Sequence, residues 1–353
     1  MGTFIPARLK KAREDMGLTQ EGFARILGLS SEFISLLEAG KRAPSLDTLA
    51  RISAYFNKDA AFFLGEREPV FKVLYRAASI KVSPEARIEV EYFQRYCEDY
   101  LRLEEATGRR LELAPLYSGN LSPERMASEE RRRLGLGDEP IRDVFALLER
   151  NGCRILRRPF PEDVSISGVF VFLEAEGAAF ALINSSQRLC RQIYTAAHEY
   201  CHYLKDRNDA PLIDTPDLIG DAAAATGPPP ADIATSEKKE QFAQEFAASF
   251  LMPPAKVFEI IDKDFGRDSH LTYDAILLIK RYFGVSAQAM LRTLRDLDVI
   301  GTGQYTEFTT VDPVPRELEV FGASAEEYGP AYSFVSDRYK LLVKEANLQG
   351  VVH

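Results

Sequence analysis

The sequence predicts an α+β chain that is predominantly helical. A five-helix unit stands at the front, and a second domain holds a small sheet of about three strands. Three observations predict this. Between residues 7 and 66, five short runs carry apolar residues at helical spacing, separated by glycines or capping hydroxyls. Within residues 153–186, CRILRRPF, GVFVFLEAE and AAFALINSS are short, apolar runs rich in β-forming residues, with a turn around Gly177. On either side of those runs the helical period returns.

In the front unit, ARLKKAREDMG ends at Gly17, a residue suited to a left-handed C-cap. Thr19 stands as N-cap before QEGFARILG, whose Phe23, Ala24 and Leu27 share a face and whose Gly28 closes the turn. Ser30 or Ser31 caps SEFISLLEAG, and SLDTLARISAYF and DAAFFLG complete the five. A helix, a tight glycine turn and a second helix, each with one apolar face, form the helix-turn-helix pattern. The alternating VFKVLYRA within 67–84 reads as a strand or an extended linker. From Pro84 to about Glu112 runs a long amphipathic helix, the connector between the units or a dimer surface. Pro115, Pro123 and Pro140 punctuate the next segment, and Arg131–Arg133 read as a solvated basic face.

The second unit begins with IRDVFALLERNG, a helix stopped by Gly152. After the three strands, SQRLCRQIYTAAHEYCHYL is helical through Leu204. Asn208–Thr235, rich in Asp, Pro, Gly and Ala and containing Pro228–Pro230, reads as a mobile lid or a disordered insertion. SEKKEQFAQEFAASFLM is the next helix, stopped by Pro253 and Pro254, and YDAILLIKRYFG and SAQAMLRTLRDLDVI are two more. After Gly301 an acidic tail holds one further helix, DRYKLLVKEANLQG. The chain therefore divides at 1–66, 67–135 (linker and long helix), 136–300 and 301–353.

Composition narrows the function classes. With 353 residues, 46% hydrophobic and 27% charged, the chain suits two or three globular domains and neither a fibre nor a wholly disordered chain. No apolar run approaches the roughly 20 residues that span a bilayer. The opening MGTFIPARLKKARED turns charged before a signal-peptide core can form, so the expectation is a cytoplasmic chain with no membrane partner. Cys97, Cys153, Cys190 and Cys201 have no paired spacing and read as buried thiols. The net charge is −9, yet residues 1–66 hold nine Lys/Arg against eight Asp/Glu, which leaves −10 for the rest. Only the front suits nucleic acid; phosphate repels the remainder.

His198-Glu199-Tyr200-Cys201-His202 carries the chemistry. On a helix, the i, i+4 spacing puts both imidazoles on one face, where they can grip one metal ion. Glu199 beside them can take a proton from water that the metal has brought to a pKa near 7. Such a site needs a third protein ligand, and the helix after the insertion offers Glu240, then Glu237, then Glu245. Glu240 is preferred because Gln244, one turn on, can orient it. Tyr200, Tyr203 and His270 are the candidates for an oxyanion donor.

Residues 141–300 resemble the ImmA/IrrE-type metallopeptidases. Ile166-Ser167-Gly168, Ile183-Asn184, Arg191 through Glu199 (RQIYTAAHE), Glu240 through Pro253 (EQFAQEFAASFLMP) and Tyr282 through Ser286 (YFGVS) carry the resemblance. It implies a zinc-dependent, gluzincin-like endopeptidase, with manganese as the alternative ion. His198, His202 and Glu240 would be its ligands and Glu199 its catalytic base. Family members typically cleave a partner repressor after stress or in mobile elements. Cys201 stands where the family has Gly and Gln244 where it has Asn. Cys201 reads as a small buried filler, or else as a thiol that reports oxidation or competes for metal. A second reading keeps the fold but not the proteolysis, as a transcription regulator whose peptidase-like half senses metal, ligand or oxidant.

The front resembles the Cro and phage-repressor (XRE-type) helix-turn-helix family, through Leu18-Thr19-Gln20, Phe23-Ala24, Leu27-Gly28, Ile34-Ser35, Glu38, Gly40-Lys41-Arg42, Pro44-Ser45 and Leu49. By resemblance Gln20, Lys41 and Arg42 meet phosphates, while Ser31, Glu32, Ser35 and Leu36 face the major groove. A homodimer on two half-sites fits that class. SSEFISLLE, however, lacks Arg, Lys, Gln and Asn, the usual base readers, so protein docking is the alternative use of this helix.

Overall fold

A computed structural model describes residues 5–16, 18–56, 60–64, 84–160, 166–174, 176–207, 212–214, 231–266, 270–324 and 334–350. Its contacts separate two units, Met1–Val73 and Leu74–His353. The expected C-cap at Gly17 and the extended stretch within 67–84 lie outside the described residues, as do most positions of the 208–235 insertion.

The first unit contains α1 (Pro6–Asp15), α2 (Gln20–Leu27), α3 (Ser31–Glu38), α4 (Leu46–Phe56) and α5 (Ala60–Phe63). Thr19 Oγ1 accepts from Gly22 N at 3.0 Å, and Ser30 Oγ accepts from Phe33 N at 3.1 Å. Ser30, not Ser31, is therefore the cap of α3. Gly28 turns the chain between α2 and α3 at φ 60°, a conformation that costs a side-chain-bearing residue. Leu9, Phe23, Leu27, Ile34, Leu37, Leu49, Ile52 and Phe63 close the core. A clamp ties α1 to α3: the Arg13 guanidinium donates to both Glu38 oxygens, at 2.6 and 2.9 Å.

The second unit opens with α6 (Pro84–Thr107), shorter at its end than the sequence suggested, followed by α7 (Pro123–Arg133) and α8 (Val144–Arg150). The three expected strands form, as β1 (Cys153–Arg158), β2 (Gly168–Leu173) and β3 (Ala178–Asn184). A short fourth, β4 (Leu212–Asp214), comes from inside the insertion, and the order is β1-β3-β2-β4. β1 runs parallel to β3, while β2 is antiparallel to both β3 and β4. Every β3 residue is buried, as a central strand covered on both faces requires.

Two long helices pack against each other in the core: α9 (Leu189–Lys205) and α10 (Ala231–Leu251). α10 starts earlier than its apolar pattern. Pro253 and Pro254 stop it, and Pro254 opens α11 (Pro254–Asp264). Arg131 is not part of a solvated basic face. It is buried, and its guanidinium donates to the carbonyls of Phe250 (2.5 Å) and Gly137 (2.9 Å). It thus satisfies a carbonyl in the last turn of α10 that the helix itself cannot.

α12 (Tyr273–Phe283) and α13 (Ala287–Asp296) follow as expected. The stretch after Gly301 carries more structure than its acidic composition suggested: α14 (Thr302–Thr309), α15 (Pro313–Phe321) and α16 (Asp337–Leu348). α15 is anchored by a fully buried Lys280–Glu317 pair at 2.9 Å. α16 lies along α6, with Leu342 and Ala346 buried. Just before it, Val335 bridges to Leu156 on the outer edge of β1, and Arg157 N donates to Phe334 O at 3.0 Å.

Candidate metal centre

α9 is positioned by its small and apolar residues. Ala196, Ala197, Tyr200, Cys201 and Leu204 are buried in the core, which fixes the helix's rotation. That rotation places His198 and His202 together, one turn apart, their Nε2 atoms 3.2 Å from each other. From α10, Glu240 Oε2 lies 3.0 Å from His198 Nε2 and Oε1 lies 3.5 Å from His202 Nε2. Donor atoms of these three residues all fall within 4.8 Å of one another, and all three residues are buried. Of the rival carboxylates, Glu237 is exposed, and Glu245 is half-buried and accepts from Gln241 at 2.9 Å. The two imidazoles, rather than Gln244, are the partners of the Glu240 carboxylate.

The side chains of the cluster shift the titration of Glu240 and His202. Burial on its own would raise the Glu240 carboxyl, but hydrogen bonds to His198 and His202 bring it down to about 2. Burial would lower His202, and hydrogen bonds to Asp206 and Glu240 carry it up to about 10. Asp206 was not anticipated. Its Oδ2 lies 3.2 Å from His202 Nδ1, so Nδ1–H donates to the carboxylate and the ring's Nε2 edge is turned towards Glu240 and His198. The i, i+4 step from His202 to Asp206 was the available signal, one turn beyond the motif.

Glu199 is fully buried beside the two histidines. Gly168, at the start of β2, lies against it: a Cβ there would run into Glu199 Oε1 and the methyl of Thr195. A side-chain-free residue is thus required where the strand and the motif helix meet.

Family comparisons divide the chain in the same way as these geometries. Residues 148–295 match the family model of the IrrE N-terminal-like domain, and residues 9–63 match the helix-turn-helix family. The chain joins a helix-turn-helix domain to an IrrE N-terminal-like domain. No curated protein matches it. Among solved structures, a Mycobacterium tuberculosis transcriptional regulator aligns at 12% identity and a TM-score of 0.32. The alignment covers 56% of this chain and 51% of that one, so the chain spans about half the regulator's length.

Within the IrrE N-terminal-like domain, Tyr200 and Tyr203 of the motif helix turn their hydroxyls away from the cluster. Tyr200 OH donates to Glu130 at 2.5 Å, and Tyr203 OH donates to Asn151 O at 3.0 Å and accepts from Ala114 N at 2.5 Å. Both hydroxyls are occupied in holding α7, α8 and the 108–122 connection, and His270 is exposed. Cys201 is completely buried, and burial pushes its thiol well up, which makes it an inert filler beside His202. All four cysteines are buried.

In the helix-turn-helix domain, Ser31, Glu32, Ser35, Lys41 and Arg42 are exposed. Arg42 lies over the Phe33 ring, 4.7 Å from its centroid, a contact that holds the guanidinium against the start of α3. Gln20 is half-buried, and its amide donates to Glu38 at 2.9 Å. Among the described residues, no helix is long and apolar enough to cross a membrane.

Proposed function

We propose that the chain is a regulatory zinc endopeptidase, resident in the cytoplasm, whose front domain binds DNA and whose substrate is a partner repressor. The convergence of His198, His202 and Glu240 beside buried Glu199 carries this reading. The fit to the ion can be tested by distance. Zinc–ligand bonds of about 2.0–2.1 Å in a tetrahedron set donor atoms roughly 3.3 Å apart. The separations here, 3.0, 3.2 and 3.5 Å, bracket that value. Two imidazoles and one carboxylate suit zinc, with manganese as the alternative.

When bound, zinc supplies a Lewis acid that polarises a peptide carbonyl and acidifies water near neutral pH. The chain's own groups do the rest. Glu199 accepts the proton of the attacking water and later delivers it to the leaving amine. Asp206 keeps the His202 ring from turning, and Glu240, ionised well below neutral pH, contributes the negative charge of the ligand set. On the DNA side, Lys41 and Arg42, with Gln20, contact phosphates, and Ser31, Glu32 and Ser35 enter the major groove, two copies of the chain covering two half-sites.

The test pairs metal analysis with cleavage. The parent and Glu199→Gln should each hold one zinc per chain, Glu240→Ala should lose it and Glu237→Ala should keep it. Cleavage of a candidate repressor should fall by about 10²–10⁴-fold in Glu199→Gln. Undiminished cleavage in that variant removes Glu199 as the base. Zinc bound but no partner cut in any assay leaves a sensing regulator as the function.

A further inference from the structure

Outside the metal centre, the buried carboxylates of the second unit are met by cations, with one exception among the described residues. Glu104, Glu130 and Glu317 pair with a guanidinium or ammonium group at 2.5, 2.5 and 2.9 Å. Glu149, only 4% exposed, meets hydroxyls instead. Its Oε1 accepts from Tyr100 OH at 2.7 Å and from Ser336 Oγ at 2.6 Å, and its Oε2 accepts no hydrogen bond among the described residues. Arg338, close by, donates to Tyr100 OH and Glu104 rather than to Glu149. Burial lifts the Glu149 carboxyl above its ordinary 4.5, and the two hydroxyls do not cancel that rise. A buried carboxylate with an idle oxygen calls for a partner.

Glu149 lines a cavity of about 450 Å³, within the roughly 300–1,000 Å³ typical of small-molecule sites. The cavity lies between α8, β1 and the chain that runs from Phe334 into α16. Part of its wall is apolar: Phe145 and Ile155 are buried, while Phe334 and Leu341 remain 53% and 46% exposed. An apolar body placed there would cover the last two. Arg150 also lines the cavity, is exposed, and makes no hydrogen bond among the described residues. The other charges of the wall are engaged. Asp143 caps α8 through Ala146 N, Asp337 pairs with Lys340, and Arg157 Nε donates to Gln192 at 2.8 Å. What the cavity offers a ligand is therefore one buried anion, one idle cation and an apolar wall.

We propose that this cavity binds a free α-amino acid with an apolar side chain. Its ammonium group donates to Glu149 Oε2, its carboxylate meets Arg150, and its side chain lies against Phe145, Ile155, Phe334 and Leu341. A zwitterion matches both charges at once and adds no net charge to the site. None of these residues belongs to the metal centre, so the inference stands apart from the peptidase reading.

Calorimetric titration of the full-length chain with L-phenylalanine and L-leucine should show saturable binding of one molecule per chain. N-acetyl-L-phenylalanine, which lacks the ammonium group, and L-phenylalaninamide, which lacks the carboxylate, should each bind at least about tenfold more weakly. Glu149→Gln keeps an acceptor for Tyr100 and Ser336 but loses the charge, and Arg150→Ala removes an exposed side chain; each should weaken phenylalanine by about tenfold or more. Ala146→Phe, which fills the cavity from α8, should abolish binding. Phenylalanine should raise the second unit's unfolding temperature in the parent and not in that variant. Absence of binding by both amino acids up to about 10 mM overturns the proposal. So does equal binding of the amide or the N-acetyl form, or unchanged binding in Glu149→Gln. Should Ala146→Phe fail to fold, the analogues and the two charge variants decide the matter alone.

Discussion

Gly168 has no room for a side chain because Glu199 and Thr195 already fill the space a Cβ would take. Its φ is not in the left-handed region, so the constraint is steric contact with the proposed base and not backbone freedom. Gly168→Ala must push either β2 or the carboxylate aside. Overpacking of this kind costs about 1–3 kcal/mol, and a base displaced by an ångström costs on the order of 10²-fold in rate. Denaturant unfolding should show that loss and cleavage should drop, while zinc stoichiometry stays at the parent's value. A variant as active and as stable as the parent would contradict the contact. The motif around this glycine was readable because i, i+4 spacing is local and needs no fold to interpret. Glu240 was readable only as one of three acids on the next helix; burial separates it from Glu237, and burial is a tertiary property. Asp206 sits at the same local spacing from His202, but an aspartate past the end of a motif is indistinguishable in sequence from a solvated one.

Helices and strands with strong periods and capping residues were found at nearly their observed bounds, and the failures lie where tertiary partners override local character. Arg131 sits in a basic run and is nonetheless buried, because the last carbonyls of α10 need a donor. α14 has no buried residue and no apolar stripe of the kind sequence reading relies on, and α15 is held by the buried carboxylate of Glu317 on Lys280. The same logic governs the clamp between α1 and α3. Burial would raise the Glu38 carboxyl, but hydrogen bonds from Arg13 and Gln20 outweigh it and hold the group below its ordinary 4.5. A carboxyl depressed by folding contributes stability that is complete above the unfolded value and lost as pH falls through the folded one. The helix-turn-helix domain should therefore lose stability as pH drops below about 4.5, and Glu38→Gln should flatten that part of the profile. Thermal unfolding of the front domain across acidic pH reads both. Equal slopes for parent and variant would show that the clamp does not couple to folding.

At the scale of the whole chain, three stretches far apart in sequence meet on one buried carboxylate. Glu104 of α6 accepts from Arg154 of β1 at 2.5 Å and from Arg338 of α16 at 2.9 Å. Arg154 is fully buried and Glu104 nearly so, at 1% exposed. Nothing local in the sequence marks these as interior charges: Glu104 and Arg338 lie in charged stretches that read as surface, and Arg154 opens an apolar run beside two further arginines. Their meeting makes the last helix part of the second unit and not a tail. Burying charges is expensive, and a pair like this is a weak source of net stability, but taking away one member strands the other in the interior at a cost of about 3–5 kcal/mol. Glu104→Ala leaves Arg154 with the Gly152 carbonyl as its remaining hydrogen-bond partner among the described contacts, and releases Arg338 from α6. Because contacts divide the chain at Val73, that penalty belongs to the second unit alone. Calorimetry of the full chain should show the second unit's transition moved down by the equivalent of about 3–5 kcal/mol, with the helix-turn-helix transition where it was. Should both transitions shift together, the two units fold as one and the division at Val73 is not energetic. Should neither move, Arg154 has found water, and α6 and α16 are held by Phe93, Tyr100, Leu342 and Ala346 without the charge network.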